Sequence, residues 1–339
     1  MNLQSLLSSP DQYLQSFDQA DAVFFEMDRD AYARSIFLDR RILAKDMNYR
    51  RTPLADLLAG AEAAPEPAPI NYIFHIAHCG STLLARALDL KEQNLVLREP
   101  FILRQLGVDA ANGGGAEFER KIRLARVLLG RRYTQNGPVI VKANVPVNFM
   151  IASLMDPQAQ QPAIFLHYGV EDYLLAILRS PMHRNWVQHV SNELGAGIEG
   201  RTGADSEPIA AARLWLTQMK QFEAALAAYP SARSLNAEAL FETPKPVLAA
   251  AFELFGQPQS AETIEAIVAS DLFSRYSKDP RHQFDNAQRI ERREKLKVEL
   301  AAELEAGRAW VMARADKAPK RLAKPLVGDG ADLLTHPID

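Results

Sequence analysis

From residue 70 onward, short apolar runs alternate with longer stretches of helical periodicity, and this alternation confines the chain to a layered α/β fold. Tyr72–Ala77, Leu95–Leu97, Val139–Lys142, Ala163–His167 and Ala232–Leu235 read as strands. Between them, Thr82–Leu90, Glu117–Arg132, Glu171–Arg179, Asn185–Leu194 and Glu207–Tyr229 carry helical spacing. Continuously apolar strands are those covered on both faces, and strand–helix alternation favours parallel pairing. The spacing therefore predicts a doubly wound, mainly parallel sheet flanked by helices. Lys245–Phe255, Ala261–Ser270 and Asn286–Ala315 extend it with a helical end.

Ahead of this unit, residues 1–58 read as a small mixed lead-in, with a strand at Ala22–Phe25 and helical spacing from Asp30 to Arg41. The stretch GAEAAPEPAP, residues 60–69, reads as a linker, because proline recurs and nothing bulky is present to bury. The expected organisation is an N-terminal extension over 1–69, an α/β domain over 70–285 and a C-terminal helix and tail over 286–339. Two glycine-rich segments, 108–118 and 195–207, are candidate lids or surface loops.

Composition removes several function classes. A formal charge of -3 does not describe a general polyanion binder, so no nucleic-acid partner is expected. A single cysteine, Cys79, excludes an internal disulfide framework and any multi-cysteine zinc site. His183 and His189 lack metal-ligand spacing, so no metal is expected. No apolar run approaches the ~20 residues of a membrane helix. The start, MNLQSLLSSPDQYL, lacks a basic segment followed by an apolar one. The expectation is a reduced, cytoplasmic protein with no membrane partner, its oligomeric state left open. Residues 275–324 hold fourteen Lys/Arg against eight Asp/Glu, a surplus read mainly as a solvated helix face.

The most informative segment is Tyr72-Ile-Phe-His-Ile-Ala-His-Cys-Gly-Ser-Thr-Leu-Leu-Ala-Arg86. It joins a buried strand to a helix through a tight turn at Gly80. Unpaired amides in a first helical turn suit an anion, glycine permits close approach, and Ser81 and Thr82 add hydroxyl donors. The plainer alternative is a strand–turn–helix with a Ser/Thr cap. A Walker A loop requires Gly-x-x-x-x-Gly-Lys-Ser/Thr, whereas here position 75 is His75 and Ser81 follows Gly80. A cysteine phosphatase would place arginine six residues after Cys79; Ala85 stands there and Arg86 is one too late. Cys79 therefore reads as a small buried residue. His75 reads as a strand residue satisfied by a neighbour, and Trp186 and Trp215 as core.

Ala77-His78-Cys79-Gly80-Ser81-Thr82-Leu83 resembles the 5′-phosphosulfate loop of sulfotransferases that use 3′-phosphoadenosine 5′-phosphosulfate. Leu97-Arg98-Glu99-Pro100 is similar to the family's Glu-Pro segment after the second strand. Val139-Ile-Val-Lys142-Ala-Asn144-Val-Pro146 resembles its strand ending in Lys-Thr-His-Leu-Pro. The late strand at Arg233–Leu240 and the helix at Leu254–Gly256 extend the resemblance over most of residues 70–285. Four positions depart from the pattern. His78 replaces the Lys or Arg before the loop serine, Asn144 replaces the family's histidine, and Tyr168 and Ala176 replace the Arg and Ser that hold the 3′-phosphate.

The resemblance implies a P-loop-like fold and transfer of a sulfuryl group to a hydroxyl or amine of a small-molecule acceptor. His78, Glu99, Lys142 and Tyr168 follow predicted strand ends, where ligands collect in such sheets. Sulfuryl transfer, like phosphoryl transfer, is mostly positioning and charge stabilisation. The implied donor site is His78, Cys79, Gly80, Ser81, Thr82 and Leu83, with Tyr168 in its wall. Arg179 and Lys278 are candidates for the missing 3′-phosphate charge. The implied catalytic set is Glu99 as proton acceptor, Lys142 at the bridging oxygen, and His78 at the anion. Two other readings stay open: a non-catalytic nucleotide- or anion-binding module, and a nucleotide-dependent phosphotransferase on the same fold.

Overall fold

The computed structural model describes residues 3–42, 48–156, 158–276, 279–283 and 286–334. Three N-terminal strands, β1 (Gln12–Asp18), β2 (Asp21–Glu26) and β3 (Tyr49–Pro53), form an antiparallel sheet in that order. The main sheet is built from β4 (Ile70–His75), β5 (Leu95–Arg98), β6 (Val139–Lys142), β7 (Ala163–His167) and β8 (Ala232–Asn236). Its order is β5-β6-β4-β7-β8, and every pairing is parallel. The predicted α/β class and mainly parallel sheet are therefore observed.

The order has a consequence for the site. β4 pairs with both β6 and β7, so the chain runs to one side of β4 first and to the other afterwards. The loop after β4 thus opens at the point where strand order reverses, the place where open α/β sheets form a crevice. β4 is buried along its whole length. Phe74 stacks on Phe165 at 5.1 Å between ring centroids, and Phe165 meets Phe222 of the Glu207–Ala228 helix at 4.9 Å. Trp215 of that helix is fully buried and donates its indole N–H to Tyr168 O at 3.1 Å, as its assignment to the core anticipates.

The lead-in is tied to the sheet through buried charge. Arg98, at the end of β5, is buried and donates to Ser35 O at 3.0 Å and Ala33 O at 3.0 Å. It pairs with Asp89 at 2.7 Å, and Asp89 also receives Arg29. A buried guanidinium is tolerated when its donors are satisfied in this way. The backbone adds Leu38 N–H to Arg98 O at 2.7 Å and Phe101 N–H to Leu38 O at 3.1 Å.

Several element boundaries differ from expectation. The helix predicted over Asp30–Arg41 is confined to Arg29–Arg34 and ends at an extended Ser35. The predicted linker at 60–69 is helical up to Ala63, because Leu57, Leu58 and Ala61 are buried and Gly60 lets the helix approach Leu3 and Leu7. Phe101–Ala111 is a helix that takes up the start of the glycine-rich segment. The segment at 195–207 is tethered rather than open: Arg213 binds Asp205 at 2.8 Å and Glu199 O at 3.1 Å. The long C-terminal helix is two helices, Asn286–Glu299 and Ala301–Met312, broken at Leu300.

Gly107 shows how close the layers stand. A Cβ there would lie 2.4 Å from the backbone of Pro146 and 2.7 Å from Val147 N, in the 3-10 helix after β6. Backbone cannot yield as a side-chain tip can. Gly107→Ala should lower unfolding stability in urea by about 2–3 kcal/mol. Gly115→Ala, where nothing lies within 4 Å, should stay within about 0.5 kcal/mol of the parent. Equal stabilities for the two variants would show that the two layers are not in contact at Gly107.

Candidate functional site

The loop after β4 carries unusual backbone. Ala77, His78 and Gly80 have φ of 72°, 52° and 79°. Two successive non-glycine residues in the left-handed region are held there only when surrounding packing over-determines them. Ala77 N–H donates to His75 Nδ1 at 2.9 Å, which fixes the first bend and satisfies that ring nitrogen. Gly80 is required by its φ and by Phe241, whose Cζ would stand 2.8 Å from an added Cβ. The glycine thus seats the turn against the Ala237–Glu242 helix, a constraint additional to ligand approach.

Gly80 is the N-cap of the Ser81–Ala87 helix, and no side chain caps it. The first backbone bond of that helix runs from Leu84 N–H to Gly80 O at 3.0 Å, so the amides of Ser81, Thr82 and Leu83 precede the ladder. Thr82 is 1% exposed, and its Oγ1 is buried with no hydrogen-bond partner. The Ser/Thr cap that would make this an ordinary turn is not formed. Cys79 is fully buried with its thiol 3.9 Å from Leu166 O, in keeping with its reading as a packing residue.

Residues 78–83 form one wall of a cavity of about 750 Å³. Tyr168, at the end of β7, lies in the wall, and burial drives its phenol well above the ordinary value. His78 also borders the cavity; its ring lies 3.7 Å from that of His183, and Trp186 meets it edge-on at 5.2 Å. His183 Nδ1 stands 2.8 Å from Ala176 O, which places the ring proton on that nitrogen. Arg179 borders the cavity, with its Nε 3.4 Å from His183 Nδ1. Arg184, beyond Arg179 in sequence, is bound to Glu207 and Glu303 instead of facing the cavity. Lys278 lies outside the described residues.

The far wall is the Asn286–Glu299 helix, which contributes Arg289, Arg292 and Arg293. Arg289 grips Glu238 bidentately at 2.8 and 2.7 Å. Arg293 stands 2.5 Å from Asp172 Oδ1 and 3.4 Å from Glu238 Oε2. Part of the basic surplus read as a solvated face is therefore paired inside the molecule. The sequence offered no sign of this, because the partner carboxylates lie on two other elements. Arg292, exposed at the rim, takes part in none of these pairs.

Glu99 and Lys142 come together, but apart from that cavity, whose lining includes neither. Lys142 is fully buried at the end of β6 and donates to Glu99 Oε1. Glu99 sits at φ 58°, its N–H bound to Lys142 O at 2.7 Å. Arg41 reaches its other oxygen at 3.3 Å, and His75 Nε2 lies 3.9 Å from Oε1. Asn144, where the family resemblance places histidine, is 7% exposed and its Oδ1 is buried with no hydrogen-bond partner. Among the described residues, no group of three or more His, Cys, Asp or Glu is arranged to hold a metal ion. No helix among them is long and apolar enough to cross a membrane.

No protein-family model and no curated protein matches this chain. Among solved structures it is similar to a sulfotransferase domain from the curacin biosynthetic pathway, with 13% identity and a TM-score of 0.40. The match covers 70% of this chain and 99% of that domain.

Asp172 gives the site a proton-dependent charge. Burial pushes its carboxyl up to about 6, against the opposing pull of Arg293 and with Glu238 and Glu171 adding to the rise. The folded state then holds a proton between pH 3.8 and about 6 that the unfolded chain has released. The stabilisation that this residue confers is complete below 3.8 and is lost as pH rises through about 6. Carbon-detected NMR should show the Asp172 carboxyl titrating near pH 6. A midpoint below 4 would mean that Arg293 outweighs desolvation.

Proposed function

We propose that this protein is a sulfotransferase-like enzyme that moves a sulfuryl group from 3′-phosphoadenosine 5′-phosphosulfate to a hydroxyl or amine of a small molecule. The observation that carries the reading is Thr82. Its hydroxyl is buried without a partner at the mouth of a loop whose next amides precede the helical ladder, and it borders a cavity faced by arginines. An unsatisfied buried hydroxyl costs stability on the order of 1–3 kcal/mol, and a phosphate oxygen would satisfy it. The order of motif-like segments along residues 70–285 supports the sulfuryl reading over other anion chemistry.

In this reading Ser81, Thr82 and the amides of residues 79–83 hold the donor's 5′-phosphate. Arg179 and Arg292 supply charge for the 3′-phosphate, in place of the contacts that Tyr168 and Ala176 do not offer. The sulfur–oxygen bond to the phosphate breaks as the acceptor's oxygen or nitrogen bonds to sulfur. Glu99 takes the acceptor's proton, and Lys142 neutralises charge developing on the bridging oxygen. β6, which carries Lys142, pairs directly with β4, which carries the loop. The closed Glu99–Lys142 pair, outside the cavity lining, favours a second reading in which the chain binds the anion without catalysing transfer.

Calorimetry with adenosine 3′,5′-bisphosphate in the absence of magnesium should give micromolar or tighter binding, weakened about tenfold by Thr82→Val. Glu99→Gln should leave that binding intact and lower sulfuryl transfer, assayed over a panel of alcohols and amines, about a hundredfold or more. Tight bisphosphate binding with transfer unchanged by Glu99→Gln and Lys142→Ala would overturn the catalytic assignment. Tight binding with no transfer to any acceptor would favour the binding module, and preference for magnesium-ATP would favour a phosphotransferase.

A further inference from the structure

A second cavity, of about 430 Å³, lies beyond the Arg293 cluster at the ends of β7 and β8. The C-terminal tail roofs it. Ser234 N–H donates to Lys324 O at 2.9 Å and Leu326 N–H to Ser234 O at 2.7 Å, so the tail lies along the edge of β8. Val170 N–H to Leu333 O at 2.9 Å closes the other end. The lining is strongly acidic: six carboxylates against the single guanidinium of Arg293. Three of the six are already paired, Asp172 and Glu238 with Arg293, and Glu171 with Arg308 at 3.1 Å. Glu242 and Asp329 border the cavity and are engaged in none of these pairs.

The second observation is His167. It is the last residue of β7, 3% exposed, and borders this cavity. Its Nδ1 is buried and makes no hydrogen bond. Burial lowers its basicity to about 4, offset in part by the Tyr168 backbone, so the ring is neutral at physiological pH. A neutral imidazole has one bare nitrogen that accepts a proton donor. A buried acceptor with no partner, surrounded by carboxylates, is matched by a ligand that brings both N–H groups and positive charge. A metal ion fits less well, because the acidic groups among the described residues do not converge in threes. They are spread around a volume of the size that encloses a small organic molecule.

We infer that this cavity is a binding site for a small aliphatic ammonium, with an N–H donated to His167 Nδ1 and the positive charge facing Glu242 and Asp329. The site is separate from the loop at Gly80 and does not depend on the donor reading. Arg293 stands between the two cavities and borders both.

The test uses the full chain without nucleotide, and 1,4-diaminobutane as probe with 1,4-butanediol as its uncharged counterpart. Nitrogen-detected NMR of the histidine rings should show the His167 Nδ1 signal moving with diamine and not with diol. Glu242→Gln combined with Asp329→Asn, two exposed positions whose replacement should leave the melting temperature unchanged, should weaken diamine binding about tenfold. The proposal fails if His167 does not respond, if the diol acts equally, or if the double variant binds as the parent does. It also fails if magnesium chloride displaces the diamine and moves the same signal at lower concentration. Since no nucleotide is present, any of these failures leaves the sulfuryl-donor reading untouched.

Discussion

β4 is the strand on which the rest of the molecule depends. It is buried throughout and hydrogen-bonded on both sides, to β6 and to β7. With both edges and both faces occupied, its end cannot move, and the loop that follows inherits that rigidity. Positive φ at Ala77 and His78 can persist because the strand before them and the helix after them are both fixed. Phe241 then locks Gly80 from the side. A loop with donors aimed outward is useful for binding an anion only if it is preorganised in this way.

Charge is arranged around that rigid point in two separate networks. On one side, Glu99 joins Lys142 and Arg41 beyond β5 and β6. On the other, Arg289 and Arg293 bind Asp172 and Glu238 beyond β7 and β8. The second network divides two cavities of opposite character, one faced by arginines and loop donors, the other by carboxylates and a neutral histidine. A low-dielectric interior makes such a division effective, because paired charges cancel nearby and unpaired ones are felt in the cavity they face.

Four of the five main strands, β4 to β7, were legible because each is buried on both faces, a pattern that belongs to a covered parallel strand, whereas β8, Ala-Arg-Ser-Leu-Asn, shows it only in part. The N-terminal sheet was legible only at β2. β1 buries Gln12 and Gln15 among its apolar residues, and β3 reads Tyr-Arg-Arg-Thr-Pro with alternate residues exposed, so neither shows a strand's apolar run. The helix at Phe101–Ala111 was hidden by its apolar start and a glycine forced by contact with Pro146. The tail over 322–334 carries no periodicity, because its order comes from the edge of β8. At the site, local sequence located His78–Leu83, Tyr168 and Arg179 around one cavity. It assigned Glu99 and Lys142 separate roles but did not show them as a pair, nor did it bring out Arg289, Arg293 or His167, whose partners and surroundings are set by tertiary contact.

The central claim is that the donors following Gly80 are aimed at an oxyanion. An amide-resolved NMR titration with sodium sulfate, using sodium chloride at equal ionic strength as the reference, tests it most directly. The account predicts saturable shifts led by the amides of Ser81, Thr82 and Leu83, with the Thr82 hydroxyl proton becoming slow to exchange. Shifts confined to the arginines of the Asn286–Glu299 helix, with those three amides unmoved, would contradict it.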